Sequence, residues 1–386
     1  ILLYFFLTQV RHHVHAPSYI FFLAATPAVL SFALFILPDQ IPDEIWHFFR
    51  ALNFVSLGNG GMVSPSSIVW QKTPTSYREL AACLSAPADW GSTYVVTRDM
   101  SAYLSHLYVF SGLAVNVGRL MGLNPFVAYY LGRIANGCVF VLTGCWVINQ
   151  MPLGKTIALI YFLNPMLIQQ EASYSADAMV NVISFVFIAV VLSDFAKEHI
   201  NSRDVVTIVV LSLLVCISKY AYAPLLLSLL LFLPRVPLAR TRRAVVIGLI
   251  ALFLLASYYL LFCYSGALMK PTIELVRSPI TCAKILARSI AAVGPFWIES
   301  FLGNDLGNLT IHPWVPVFWL YWLLLVLSVF VNDDDNQLRL GTRHKVLAIA
   351  GPVISAVLIV LALRDWSVSV ENVTDYIVGV QGRYFL

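Results

Sequence analysis

From Tyr19 to Leu37 the sequence runs for 19 residues without a charged side chain, and comparable stretches recur down the chain. No other feature limits the fold as strongly. A helix needs about 20 apolar residues to cross the hydrocarbon core of a bilayer, where its backbone must satisfy its own hydrogen bonds. Further runs of this kind are Phe126–Asn149, Lys155–Gln170, Asp177–Ala196, Asp204–Ser218, Tyr220–Leu233, Ala244–Tyr264, Pro313–Val331 and Val346–Leu363. With the first they predict about nine crossings. Only 11% of the residues are charged, against about 25% in soluble domains, and mean hydropathy is +0.80. The expected fold is all-α, a polytopic transmembrane helical bundle forming one integral-membrane domain over residues 1–386. The two runs flanking Lys219 are short, so that pair is expected to tilt inward or to be partly broken.

Between the first two spans lies a long mixed loop, residues 38–125, with a Gly-rich turn at Gly58–Gly61. Its last part, Ala102–Met121, is amphipathic and reads as an interfacial helix. A second long loop, residues 265–312, holds another at Pro279–Ala292. Basic residues set the orientation. If Arg11 is inside, the short inner loops carry Lys155, Lys197, Arg203, Arg235, Arg240, Arg242, Arg243, Arg339, Arg343 and Lys345. The long loops and the tail after Arg364 then face outward. The inner Asp333-Asp334-Asp335 reads as a solvated acidic turn, not a metal site.

The net charge of +4 is small and points to no nucleic-acid partner. Six cysteines occur without a CxxC pair, so neither a metal site nor a disulfide scaffold is expected. No cofactor is called for. No signal peptide stands out, and the first span is expected to serve as its own uncleaved targeting signal. The chain starts at Ile1 and stops at Leu386 inside what reads as a motif, so both ends are expected to be truncated.

One stretch stands apart: Pro42-Asp43-Glu44-Ile45-Trp46-His47-Phe48-Phe49-Arg50-Ala51. On a helix starting at Pro42, Asp43 and Glu44 precede His47 by one turn and share its face, and Arg50 follows one turn on. Ile45, Phe48, Phe49 and Leu52 form an apolar flank suited to the bilayer surface. A structural account is also available, since proline favours the first helical position and acids the first turn. Three more polar groups fall at the same membrane edge: Glu171–Asp177, Ser218–Tyr222 and Gln381–Tyr384, with Arg133 inside the outer end of a span. Each has its own structural account, Asp177 as a helix cap and Lys219 and Arg133 as snorkelling cations. Clustered on one side, they favour an extracytoplasmic active site, because ionisable groups at membrane depth are costly.

The chemistry these residues suit is glycosyl transfer from a lipid-phosphate sugar. A carboxylate accepts the proton of the attacking hydroxyl. Arg or Lys stabilises the charge on the leaving phosphate. Lys219 and Arg383 are the cations expected to meet the donor phosphate. Arg50, Arg133, Asp177 and Gln381 complete the expected substrate-binding set, with Asp43, Glu44 and His47 as the catalytic candidates. The two acids of the first loop are expected to converge with those cations in one water-reachable pocket.

Several motifs resemble the domain-of-unknown-function 2142 family of polytopic bacterial membrane proteins. They are Pro42-Asp43-Glu44-x-x-His47-Phe48-x-Arg50-Ala51, Gly132-Arg133-Ile134-Ala135-Asn136, Ser173-x-Ser175-Ala176-Asp177-Ala178, Ser218-Lys219-x-x-Tyr222-x-Pro224 and the run Gly379–Leu386. The resemblance implies a GT-C-type membrane glycosyltransferase, with further spans beyond Leu386. The Asp-Glu-x-x-His-Phe pattern is also similar, locally, to the first outer loop of protein O-mannosyltransferases. That likeness implies Asp43 as general base, Glu44 as an aid to acceptor binding and Asp177 as the second outer-loop acid. The expected partners are a polyprenyl-phosphate sugar donor, a cell-envelope glycan or lipid acceptor, and membrane lipids, at the plasma membrane. The rival readings are a flippase or transporter for lipid-linked glycans, and a non-catalytic subunit of envelope-polysaccharide assembly. A transporter favours charges near the midplane and inverted repeats, and neither stands out here.

Overall fold

The structure is a computed structural model, and it describes residues 17–53, 74–87, 90, 103–197, 200–231, 240–259, 270–331 and 341–386. The Gly58–Gly61 turn and the Asp333–Asp335 acids lie outside the described residues. Among the described residues there is no β-strand, only an isolated antiparallel bridge between Leu306 and Ile311.

The chain divides into two compact units. The first comprises residues 1–149, 154–182 and 303–332. It contains α1 (Pro17–Phe35), α2 (Glu44–Leu52), α3 (Tyr77–Ser85), α4 (Val109–Leu120), nearly all of α5 (Pro125–Gln150), α6 (Lys155–Phe162), α7 (Pro165–Glu171) and the start of α8 (Ala176–Ala196). The second comprises residues 150–153, 183–302 and 333–386. It holds the rest of α8, α9 (Ser202–Ser218), a 3-10 helix at Tyr220–Leu231, α10 (Arg240–Tyr259), α11 (Lys270–Val276) and α12 (Pro279–Phe301). Of the remaining helices, α13 (Val315–Ser328) belongs to the first unit, and α14 (Thr342–Ala362) and α15 (Arg364–Ser369) to the second.

About nine crossings were expected; among the described residues four helices are long and apolar enough to cross a membrane by length and composition. They are α1, α5, α8 and the stretch Thr342–Ser369. Four of the others fall short for local reasons. The run Lys155–Gln170 breaks at Asn164-Pro165, where the Asn164 side chain accepts from the Met166 and Leu167 N–H groups and starts a second helix with proline in its first turn. In the run Tyr220–Leu233, residues Tyr220–Leu231 form a 12-residue 3-10 helix containing Pro224. Helix α9 has 17 residues and starts in a capping box between Asn201 and Asp204, a polar beginning. Helix α13 has 14 residues. The expected break at Lys219 is present: its backbone is extended (φ −156°, ψ 110°) where α9 gives way to the 3-10 helix.

In the first unit α1 packs on α6 and α7, and Phe21, Phe140 and Phe162 form a three-ring contact with centroids 5.7 to 6.1 Å apart. Within the expected interfacial segment Ala102–Met121, a 3-10 turn, Ser105–Tyr108, leads into α4. Helix α4 buries small residues (Ser111, Gly112, Val115, Gly118) and exposes Phe110, Leu113, Val117 and Leu120, a pattern suited to lipid contact. The segment Pro279–Ala292 is longer than expected and runs as one helix, α12, to Phe301.

The second unit holds its C-terminal segment with serine hydroxyls. The N–H groups of Ile377, Val378 and Gly382 donate to the Oγ atoms of Ser289, Ser367 and Ser300 at 2.9, 2.6 and 2.8 Å. A Cβ on Gly382 would overlap the backbone of Phe301 and Ser300. Gly382→Ala is therefore expected to expel the tail and lower stability by about 1–3 kcal/mol, the scale of an overpacked site. Thermal unfolding with limited proteolysis of the C-terminal segment measures this; an unchanged melting temperature and cleavage pattern would contradict it.

Candidate functional site

The first unit is knitted around one buried ion pair. Arg133, on α5, donates from Nε to Glu44 Oε1 at 2.8 Å and from Nη2 to Glu44 Oε2 at 2.6 Å. Both side chains are 0% exposed. The remaining guanidinium donors reach the carbonyls of Ala33, Ile36 and Leu37, just where α1 ends. Helix C-termini leave carbonyls without partners, and a cation there also meets the negative end of the helix dipole. All five guanidinium donors are thus used, and the rings of Tyr129 and Tyr130 lie 4.9 and 5.6 Å from the guanidinium carbon. The Tyr174 N–H donates to Glu44 Oε1 at 3.1 Å.

The neighbouring motif residues serve the same network. Gly132 has no Cβ because the Tyr174 hydroxyl occupies that space and donates to the Tyr129 carbonyl. Asn136 Nδ2 holds the Ser173 carbonyl at 2.8 Å. Three stretches distant in sequence, Pro42–Ala51, Gly132–Asn136 and Ser173–Asp177, are one hydrogen-bonded assembly. Among the expected site residues, Glu44 and Arg133 are consumed by each other.

Helix α2 starts two residues later than proline placement suggests. Asp43 takes a left-handed backbone (φ 64°) and makes no capping bond with its side chain, so Glu44 is the first helical residue. The flank expected at the bilayer surface is mostly internal: Phe48, Phe49 and Leu52 are buried, with the Phe48 ring 5.0 Å from Tyr129 and 5.1 Å from Tyr174. The reason is the ion pair, which turns that face of α2 toward α5. His47 is buried and pairs through Nδ1 with the Tyr108 hydroxyl at 2.6 Å. Arg50 donates to the carbonyls of Tyr103 and Asn53 and to Ser105 Oγ, tying α2 to the segment before α4. Asp177 is buried, and its N–H donates to Ser175 Oγ at 3.1 Å.

Two carboxylates of this turn remain half-exposed: Asp43 and a residue not singled out from the sequence, Asp39. Both are left-handed, with φ of 64° and 62°. A readable signal existed, since Pro38-Asp39 and Pro42-Asp43 repeat a dipeptide four residues apart. The Asp39 carbonyl accepts from Asn308 Nδ2 at 3.1 Å, and the Gly307 N–H donates to Gln169 Oε1 at 2.6 Å, so the Gly303–His312 loop is fastened over this turn. Burial pushes the Asp39 carboxyl up from 3.8 to about 6, and the charges of Glu44 and Asp43 add to the rise against the Ile45 N–H and Arg133.

A carboxyl whose folded pKa lies above its unfolded one favours folding in its protonated form. For Asp39 that stabilisation is complete below 3.8 and is lost as pH rises through about 6. Solvent screening keeps the effect small at a half-exposed group. The melting temperature of the wild type is expected to decline across that window relative to Asp39→Asn. Parallel pH profiles for the two proteins would refute it.

In the second unit Lys219 and Arg383 meet on one ring. Lys219 Nζ lies 5.0 Å from the Tyr384 centroid and 5.3 Å from that of Tyr222, and the Arg383 guanidinium carbon lies 5.0 Å from Tyr384. The Tyr222 hydroxyl donates to the Tyr384 carbonyl at 2.9 Å, and Arg383 Nη2 to the Tyr384 hydroxyl at 3.2 Å. Gln381 is half-buried, and its carbonyl accepts from the Tyr384 N–H. Two cations gathered around one aromatic ring suit a phosphate.

A family model described as "Predicted membrane protein (DUF2142)" matches residues 27–386. No curated protein and no solved structure matches the chain.

Proposed function

We propose that this chain, which belongs to the DUF2142 family of predicted membrane proteins, is a GT-C-type glycosyltransferase. It moves a monosaccharide from a polyprenyl-phosphate donor to a cell-envelope glycan or lipid on the outer face of the plasma membrane. The observation that carries this reading is Asp43. It is a half-exposed carboxylate whose side chain does not cap its helix, held in a turn braced by the buried Glu44–Arg133 pair. A positioned base needs a rigid support of this kind.

In the reaction, an acceptor hydroxyl oxygen attacks the anomeric carbon of the donor sugar. Its proton passes to the Asp43 carboxylate. The bond from the anomeric carbon to the phosphate oxygen breaks, and the polyprenyl phosphate leaves with the electron pair, inverting the sugar. In the second unit, taken by itself, Lys219 and Arg383 share the Tyr384 ring and are the cations suited to a phosphate. Glu44 and Arg133 are positioning residues, and His47 and Arg50 brace α2 from its other side.

The test is purified protein in vesicles, supplied with labelled polyprenyl-phosphate sugars and a cell-envelope extract, with products read by mass spectrometry. Transfer by the wild type that is lost in Asp43→Asn is expected. Flipping of the donor across the vesicle without transfer would replace this reading with a transporter. Transfer that survives in Asp43→Asn would remove the base.

A further inference from the structure

Arg364 opens α15, with only Leu363 between it and the end of α14, and is 9% exposed. Its Nε and Nη1 atoms are buried and meet no hydrogen-bond partner among the described residues. Among the described residues the acid whose charge reaches it is Asp375, which is itself 80% exposed and lies 3.7 Å from Arg288. A buried guanidinium with idle donors is costly, and such groups are ordinarily paired with a carboxylate or phosphate.

The setting indicates what that anion is. Helix α14 exposes Val346, Ile349, Val353, Ile354 and Val357, the face of a span that meets lipid tails. Just past Arg364, Trp366 is 40% exposed, and tryptophan is enriched where tails give way to headgroups. Around Arg364 the backbone is fixed. Thr272, fully buried on α11, donates to the Leu361 carbonyl, and Ser367 both donates to the Val378 carbonyl and accepts from its N–H. Leu361 and Leu363 pack in the apolar cluster of Leu275, Ile285, Val360, Ile377 and Val380. The guanidinium is therefore preorganised at the end of a lipid-facing helix, and its planar fork matches a phosphate bidentately.

We propose that Arg364 anchors a lipid-phosphate site, holding the phosphate of a membrane lipid at the end of α14. The site is separate from the transfer chemistry proposed above and stands or falls without it. A phosphodiester headgroup and a polyprenyl phosphomonoester share the chemistry required.

The experiment uses the purified, delipidated full chain in detergent. Phosphatidylglycerol, a polyprenyl monophosphate, inorganic phosphate and phosphate-free diacylglycerol are added separately, with thermal unfolding and native mass spectrometry as readouts. The wild type is expected to gain melting temperature and retain one molecule of a phosphate-bearing lipid. Whichever lipid binds more tightly identifies the source. Arg364→Gln should bind that lipid at least tenfold more weakly and, without lipid, melt at or above the wild-type temperature because a buried unpaired charge is gone. Arg364→Lys should bind with intermediate strength, keeping the charge without the fork. Equal lipid binding by Arg364→Gln, equal stabilisation by diacylglycerol, or stabilisation by inorganic phosphate alone would overturn the proposal. So would a lipid-free Arg364→Gln protein that melts lower or fails to fold, since the charge would then have a partner within the protein.

Discussion

Asp43→Asn is expected to lower sugar transfer by about 10²–10⁴-fold, the usual contribution of a positioned general base, while leaving the melting temperature nearly unchanged. The substitution is chosen for its backbone. Asp43 sits at φ 64°, a left-handed conformation that asparagine tolerates and most other residues do not. Asparagine removes the proton acceptor and keeps the turn, whereas alanine would strain it and confuse chemistry with folding. Asp39→Asn is the matching control, because Asp39 shares the same backbone state at φ 62° and the same turn. It should retain transfer within about tenfold, as a group that touches no reacting atom does. If Asp39→Asn were the silent variant and Asp43→Asn the active one, the base would be Asp39. Comparable loss in both would mean the turn as a whole, not one carboxylate, is being measured.

Arg133→Ala is expected to be the most destabilising single change in the first unit, by about 3–5 kcal/mol, the cost of stranding one partner of a buried ion pair. Interhelical hydrogen bonds in membranes average only about 0.6 kcal/mol, so lost bonds alone would give a small effect. The stranded charge decides the magnitude. Arg133→Ala leaves Glu44 with the Tyr174 N–H and takes the guanidinium donors from the Ala33, Ile36 and Leu37 carbonyls, of which Leu37 keeps the Gln40 N–H. Glu44→Ala strands the guanidinium but keeps those carbonyl bonds, so it should cost somewhat less. The double variant should lose clearly less than the sum, because neither charge is then alone. Arg133→Lys should not rescue, since an ammonium has three donors where five are used. Thermal unfolding of the four proteins in one detergent gives the cycle. Strict additivity, or a melting temperature for Arg133→Ala near that of the wild type, would show that the pair contributes little.

The membrane character of the chain, its helical make-up and its family were all legible in the sequence. Hydropathy, helix capping and motif spacing are local, and a run such as Pro125–Gln150 carries its own instructions for forming a helix. The break at Lys219 was legible for the same reason. The count of crossings was not, because Asn164-Pro165 and the 3-10 segment around Pro224 interrupt apolar runs that hydropathy alone reads as continuous.

What became of the motif residues was decided by tertiary structure alone. The sequence marked Asp43, Glu44 and Arg133 as polar residues at a membrane edge and offered the two acids as catalytic and Arg133 as a substrate contact. Only the fold shows Arg133 and Glu44, 89 residues apart, closing on each other at the end of α1. It also brings half-exposed Asp39 beside Asp43 and leaves Arg364 buried with donors that meet no partner among the described residues. The physical reason is that a charge's role depends on which partner reaches it. Burial makes that pairing strong, and it joins residues whose meeting no local pattern encodes.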